Sequence, residues 1–291
     1  MALAAIDRVT LGYLAVALAF TLLRGPRQPW LQVTLVLALA AAALVAGWVA
    51  PRARRSGPLG QLLGDFYPLL LTLGLYTHVG LVNRAAGVSH DLRVQSWEQA
   101  LFGGQVSLAW VRASPSPAWS TLMHAAYLSY YAILAASPLG LWLRGRRAAA
   151  RRALLLIMVT FYLCYATSLV FPVAGPRYLF PAATNAATAV PVASLARGLL
   201  ETFSAWGTAF PSSHVAAAVV AAVSAWRGWR ALGAVLIPAA LLLTLSTVYG
   251  QFHYAVDALA GAAVAAVVLL LPPGRQYDSA PAPSPGARRT P

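Results

Sequence analysis

Apolar residues are grouped along the chain in eight runs, separated by short segments rich in arginine, glycine or proline. A helix of about 20 apolar residues crosses the roughly 30 Å hydrocarbon core of a bilayer. The pattern therefore predicts an all-α integral membrane protein with about eight transmembrane helices. The predicted spans cover residues 9–23, 31–50, 62–82, 118–143, 153–171, 210–226, 232–248 and 254–271.

The composition excludes a soluble globular domain. Of the 291 residues, 59% are hydrophobic and 10% are charged, whereas about a quarter of the residues in soluble domains are charged. The first run follows Arg8 without a clear small-residue cleavage pattern, so we expect a retained anchor. The arginine-only, alanine-rich composition is typical of bacteria with GC-rich genomes and predicts a bacterial inner or plasma membrane.

The charges indicate membrane topology rather than nucleic-acid binding. All 21 basic residues are arginines, and they lie between apolar runs rather than along one stripe. With eight spans, 14 of them fall on the side of both termini, which predicts cytoplasmic termini. The other seven are Arg24, Arg27, Arg84, Arg93, Arg112, Arg177 and Arg197. Residues 83–117 and 172–209 then form outer loops, and the first has an amphipathic pattern suited to the membrane interface, at Trp97, Leu101, Phe102 and Trp110.

Three polar groups lie at the predicted outer ends of spans. Arg177 follows the fifth span, after two prolines that end the helix. Ser212, Ser213 and His214 open the sixth span, where free backbone N–H groups favour an anion. His253 and Asp257 lie four residues apart before the last span, so on a helix they share one face.

Together these residues predict a site that handles phosphate. Arg177, Ser212 and Ser213 would bind phosphoryl oxygens and stabilise the transition state. His253, oriented by Asp257, would attack phosphorus, and His214 would protonate the leaving oxygen. The chemistry requires no cofactor and no metal, and the sequence has none of the usual metal-binding motifs.

At these positions the sequence resembles the type 2 phosphatidic acid phosphatase superfamily of membrane lipid phosphatases and phosphotransferases. Its second motif, Pro-Ser-Gly-His, matches residues 211–214, and its third ends in the His and Asp found at His253 and Asp257. The resemblance implies a catalytic six-helix core in residues 61–272. Residues 1–60 would add two N-terminal transmembrane helices, and residues 273–291, rich in proline and arginine, would form a disordered tail.

The sequence departs from the family pattern in its cations. It has no lysine for the first motif, Tyr178 replaces the proline that ends this motif, and Thr247 occupies the arginine position of the third motif. These features look more like the branch of inositol phosphorylceramide synthases and related inositolphosphotransferases. That branch implies transfer of a phosphorylated headgroup, because a diester carries less charge than a monoester and suits a site with few cations.

Several other polar residues have weaker candidate roles. Tyr178, His78 and His124 are candidate headgroup contacts, although packing is the simpler interpretation for both histidines. A solvated loop is the simplest interpretation of His90, Asp91 and Glu98. Packing or an interfacial aromatic belt is the default for Tyr127, Tyr130 and Tyr131.

Other functions remain open at this stage. The expected partners are the membrane and a phospholipid or polyprenyl phosphate substrate. Transfer would also require a lipid alcohol as acceptor, and nucleic acid is not expected to bind. Hydrolysis of a lipid phosphate or polyprenyl pyrophosphate is the main alternative to transfer. A transporter would need polar residues near mid-membrane, whereas these cluster at one edge, and a non-catalytic lipid binder would bind phospholipid without product.

Overall fold

The computed structural model describes residues 3–271, which place α-helices along most of the chain without forming a β-sheet. The expected disordered tail, residues 273–291, lies outside the described residues. The helices are α1 (Ala5–Arg24), α2 (Pro29–Leu44), α3 (Ala50–Ala53), α4 (Pro58–Ala86), α5 (Asp91–Phe102), α6 (Val106–Ala113), α7 (Pro117–Leu128), α8 (Tyr130–Leu143), α9 (Arg147–Val170), α10 (Pro176–Leu179), α11 (Pro191–Phe203), α12 (Ser213–Gly228), α13 (Arg230–Tyr249) and α14 (Ala255–Leu269). One π-helical turn, Val45–Val49, joins α2 to α3.

Each predicted span falls on a helix or on a pair of consecutive helices. Within the described part, four helical segments are long and apolar enough to cross a membrane: Ala5–Arg24, Pro29–Ala53, Arg147–Val170 and Arg230–Tyr249. A fifth is reached if α7 and α8, which bend by 42° at Ser129, count as one span. These apolar helices indicate a membrane protein, and the number of eight spans stays a prediction.

Helix α12 lies at the centre of the bundle and packs against α8, α9, α13 and α14. Small side chains let these neighbours approach closely, and six alanines of α12 are buried: Ala216, Ala217, Ala218, Ala221, Ala222 and Ala225. Gly261 of α14 allows a close approach, because a Cβ there would lie 2.5 Å from the carbonyl oxygen of Ser212, and the N–H of Ser212 donates to the carbonyl of Asp257 at 3.0 Å. The first turns of α12 and α14 are therefore side by side.

The two long connections contain helices of their own. Residues 83–117 include α5 and α6, and residues 172–209 include α10 and α11. A short parallel contact ties the second connection together, because the N–H of Ala209 donates to the carbonyl of Val173 at 2.9 Å. Asn83 of α4 also donates to the carbonyl of Gly207 at 3.1 Å, which anchors this segment to the bundle.

An ion network joins α1 to the rest of the bundle. Arg54 donates two hydrogen bonds to Asp7, at 2.7 and 2.8 Å, and one to Asp65, at 3.0 Å. Arg151 of α9 donates to the other oxygen of Asp65 at 2.8 Å. Both carboxylates are buried. From the sequence, setting the membrane topology was the only role predicted for these arginines. The structure shows that they also neutralise buried acids.

We predict that Arg54→Gln lowers the thermal unfolding midpoint of the purified protein in detergent. Removing one partner of a buried ion pair costs about 3–5 kcal/mol, because the remaining charge stays buried without compensation. The neighbouring exposed residue provides the control, Arg55→Gln. Equal midpoints for the two variants would contradict a stabilising role for the network.

Candidate active site

His253 lies in the turn between α13 and α14, where its imidazole is held by backbone. Its Nδ1 is 2.9 Å from the carbonyl oxygen of Ala209. Because a carbonyl oxygen only accepts, Nδ1 carries the proton and Nε2 keeps its lone pair. Burial, together with a smaller effect of Arg177, lowers the pKa of His253 to about 4. The ring is therefore neutral at pH 7, with Nε2 available as a nucleophile.

Asp257 is the second group beside this ring. Its Oδ2 lies 3.5 Å from Nδ1 of His253 and accepts the backbone N–H of Tyr254 at 2.9 Å. His253 precedes α14, so the two residues do not share a helical face as the sequence suggested. Instead, the N-terminal turn of α14 brings the carboxylate to the ring. The shorter contact to Ala209 shows that the backbone carbonyl is the closer of the two groups that orient the ring.

His214 approaches the free nitrogen of His253 from the first turn of α12. Its Nδ1 is 3.5 Å from Nε2 of His253, at the outer limit of a hydrogen bond. On its other side, Nε2 lies 3.4 Å from the hydroxyl of Tyr127, and the ring of Tyr130 packs at a centroid distance of 4.4 Å. These tyrosines are thus not belt residues, since they position a candidate catalytic histidine.

The two serines before His214 have different surroundings. Ser212 is fully buried, and its hydroxyl caps α12 by accepting the N–H of Val215 at 3.4 Å. Its own N–H donates to the carbonyl of Asp257 at 3.0 Å, which joins α12 to α14. Ser213 lines a cavity beside His214. Of the two serines, Ser212 therefore fixes the start of α12, and Ser213 is the one that lines a cavity.

Arg177 is presented by a loop that Asp91 holds in place. The carboxylate of Asp91 accepts the N–H groups of Ala174 and Gly175, both at 2.8 Å. It also accepts the hydroxyl of Tyr254, the residue after His253, at 3.0 Å. Gly175 has a φ of 99°, a conformation that favours glycine. Asp91 thus ties the arginine loop to the turn that carries His253.

Asp91 and Glu98 are buried rather than solvated, which corrects the sequence-based interpretation. Glu98 accepts the N–H groups of Val106, at 2.9 Å, and Val256, at 3.3 Å. Burial raises the pKa of the Glu98 carboxyl. Helix α5, predicted as a surface segment, therefore contributes two acids that support the N-terminal turn of α14.

Three cavities with shared lining residues lie at the candidate site, and the first of them is the one lined by both histidines. A small histidine cavity is lined by Arg177, His214 and His253. The second, the polar cavity, has a volume of about 380 Å³ and is lined by Arg84, Val111, His124, Arg177, Tyr178, Phe180, Ala182, Ala183, Thr188, Arg197, Leu200, Glu201, Ser204, Gly250, Gln251 and Phe252. The third, the apolar groove, has a volume of about 250 Å³ and is lined by Leu69, Thr72, Leu73, Tyr76, Tyr130, Tyr131, Leu134, Ala135, Phe161, Tyr165, Phe203, Ser213 and His214.

The candidate headgroup contacts separate into two groups. Tyr178 and His124 line the polar cavity, where the hydroxyl of Tyr178 accepts from Arg177 and Ser120 holds Nδ1 of His124 at 3.0 Å. His78 is instead buried between α4 and α1, with its Nε2 2.7 Å from the hydroxyl of Thr21. It lines none of the three cavities, which agrees with the packing interpretation given for it from the sequence.

Sequence motifs missed two of the cations beside the site. Arg84, in the last turn of α4, and Arg197, in α11, both line the polar cavity with Arg177. Thr247, at the family's arginine position, is buried and uses its carbonyl to accept the N–H of His253 at 2.9 Å. The histidine cavity itself is lined by one arginine, Arg177, so these two additional cations lie in the adjoining polar cavity. Only the fold could reveal this, because neither arginine belongs to a motif.

The comparison with protein families agrees with this geometry. A sequence model described as the PAP2 superfamily matches residues 92–271, which is more than half of the chain. Neither the curated proteins nor the solved structures gave a match. The matched range contains Arg177, both histidines and Asp257.

We predict that Asp91→Asn loosens the loop that carries Arg177. An amide has one acceptor oxygen, so it cannot accept both N–H groups as the carboxylate does. Hydrogen exchange of the amides of Ala174 and Gly175 should become faster. The control is Ser96→Ala on the exposed face of the same helix, whose hydroxyl contacts only the carbonyl of Arg93. Unchanged exchange in the Asp91 variant would show that the loop does not depend on this carboxylate.

Proposed function

The chain belongs to the PAP2 superfamily, and on this premise we propose that it is a membrane lipid phosphotransferase. In this proposal it moves a phosphorylated headgroup of the inositol phosphate kind from one lipid to a hydroxyl of another at the outer leaflet. Membership itself indicates a lipid phosphatase or phosphotransferase that acts on lipid phosphates. Transfer, the headgroup and the leaflet are the parts that this proposal adds.

The size of the polar cavity is the observation that carries the proposal. Hydrolysis needs room for one water molecule, which occupies about 30 Å³ in the liquid. The polar cavity has about 380 Å³ and shares Arg177 with the histidine cavity, and its lining contains many hydrogen-bonding groups. A polyol headgroup attached to phosphorus fits such a space. A simple phosphatase would not need it.

The apolar groove supplies the complementary space for lipid chains. Its lining residues come from α4, α8, α9, α11 and α12, and Leu73, Tyr131 and Phe203 among them are exposed on the surface of the bundle. Lipid tails can therefore lie in the groove while the phosphate reaches His214 at its inner end. The donor's lipid alcohol would leave by this groove and the acceptor alcohol would enter by it, while the headgroup stays in the polar cavity.

The reaction follows from the orientation of the two histidines. The lone pair on Nε2 of His253 forms a bond to phosphorus, and the bond from phosphorus to the lipid oxygen breaks. Protonated His214 gives its proton to that oxygen. The acceptor hydroxyl then returns a proton to His214 and attacks phosphorus, which breaks the N–P bond and restores His253. Arg177 stabilises the phosphoryl oxygens, and Asp257 stabilises the positive charge on His253.

Hydrolysis of a lipid phosphate or polyprenyl pyrophosphate is the second candidate function. The observation that favours it is the pair Arg84 and Arg197, which supply positive charge that the motifs lack. Water would then replace the acceptor alcohol in the second step, and inorganic phosphate would leave. The two candidates share the first step and differ in what releases the phosphohistidine.

We predict that the purified protein, given a phosphatidylinositol-type donor, forms a new phosphodiester lipid only when a lipid alcohol is added. His253→Ala should lower the rate about a thousandfold or more, because loss of a nucleophile removes most of the catalytic effect. The matched control is His78→Gln, since His78 is also buried but lies outside the cavities. Each variant is checked for its unfolding midpoint.

Different products discriminate between the candidate functions. Free phosphate without an acceptor, from a panel of lipid phosphates and polyprenyl phosphates, would establish a lipid phosphatase instead. Full turnover by the His253 variant would refute the assigned nucleophile. Absence of product from every donor would favour a lipid binder or transporter without catalytic activity.

A further inference from the structure

Three of the seven arginines on the predicted outer side face one cavity. Arg84 comes from α4, Arg177 from α10 and Arg197 from α11, and among the described residues Glu201 is the only carboxylate in the lining of the polar cavity. If these arginines served only to set the orientation of the protein in the membrane, they would be spread along the membrane edge. Their convergence from three separate elements gives the cavity a formal charge of about +2 at neutral pH.

These arginines form no ion pair with a carboxylate within residues 3–271. At the opposite end of the bundle, by contrast, Arg54 and Arg151 are neutralised by buried aspartates. Arg197 is also held in place, because its guanidinium donates to the carbonyl of Thr188. A fixed guanidinium without an acidic partner is ready to bind an anion, and its planar shape matches phosphate.

Gln251 adds an independent sign of a ligand. Its side chain is 7% exposed, lines the polar cavity and has an Nε2 without a hydrogen-bond partner in the described part of the chain. A buried amide donor without an acceptor is costly. Its φ of 59° is uncommon for a residue other than glycine, and such backbone occurs often at functional sites. This nitrogen is inaccessible to solvent, so an acceptor oxygen of a ligand would satisfy it after the amide turns toward the polar cavity.

The position of these groups separates them from the reacting phosphorus. Arg177 lines both the histidine cavity and the polar cavity, whereas Arg84, Arg197 and Gln251 line only the polar cavity. An anion bound by Arg177 next to His253 would therefore leave the other two arginines free. They are placed to bind a second anionic group, further from the histidines.

We propose that Arg84, Arg197 and Gln251 form a second anion subsite, which binds an additional phosphate carried by the headgroup. This inference rests on the proposed function and specifies its substrate class. The headgroup would be a polyol that is already phosphorylated at a position other than the one linked to lipid. A reaction that phosphorylates the free headgroup or the donor lipid must then precede this step.

The test compares two soluble probes, an inositol monophosphate and an inositol bisphosphate, by calorimetric titration of the full-length protein in lipid nanodiscs. The wild type should bind the bisphosphate about tenfold more tightly, which corresponds to one added charged contact. Arg84→Gln and Arg197→Gln should each bring this ratio close to one. The matched control is Arg93→Gln, because Arg93 is exposed on α5 and lines neither cavity, and it should keep the wild-type ratio.

Equal affinities of the wild type for both probes, or binding of neither, would contradict the subsite. An unchanged ratio in both variants would contradict the assignment to these arginines. Because the titration measures binding without turnover, its result does not depend on whether the proposed transferase function is correct. A preserved preference for the bisphosphate without any transfer product would support the second anion subsite and contradict the proposed transferase function. Transfer of an unphosphorylated headgroup, together with an affinity ratio of one, would support the transferase function and contradict the subsite.

Discussion

Ala209 uses both of its backbone polar groups to join the parts of the site. Its N–H donates to Val173, in the loop that leads to Arg177, and its carbonyl accepts from Nδ1 of His253. Helix α12 begins four residues further along the chain, at Ser213, and the next residue is His214. The spacing between the arginine and the two histidines therefore depends on one short extended segment. Because the carbonyl can only accept, the same contact also fixes the tautomer of His253 and leaves the lone pair on Nε2.

The bundle has two ends with different electrostatics, and the difference follows from how arginines are paired. Asp65 and Arg84 are both on α4, separated along it by about 28 Å at the usual rise per residue. Near Asp65, arginines and buried aspartates neutralise one another and hold α1 to the bundle. Near Arg84, the arginines have no acidic partner within the described residues and surround the polar cavity. The first end stabilises the fold, and the second is suited to an anionic substrate.

The apolar periodicity was sufficient to predict the helices of the bundle but not α5, α6, α10 and α11, which lie in segments predicted as loops. The short motifs were sufficient to select Arg177, His214, His253 and Asp257 as neighbours. The rest depended on contacts that residue types do not encode. Asp91 looks like a solvated loop residue in the sequence, because its partners are backbone N–H groups more than 80 positions away. The Ala209 carbonyl could not be predicted from an alanine. Arg84 and Arg197 resembled topology charges, because their convergence on one cavity exists only in the folded chain.

The central claim is that His253 attacks phosphorus through Nε2, and a covalent intermediate tests it most directly. The protein would be mixed with a donor lipid that is labelled at phosphorus, without an acceptor. The reaction would be quenched within one turnover at alkaline pH, because phosphohistidine persists under these conditions, and the protein would be digested for peptide mapping. We expect the label on the peptide that contains His253. The label should be absent in His253→Ala and should be lost from the wild type when a lipid alcohol is added. Product formation with no labelled peptide, or label on His214 instead, would contradict it.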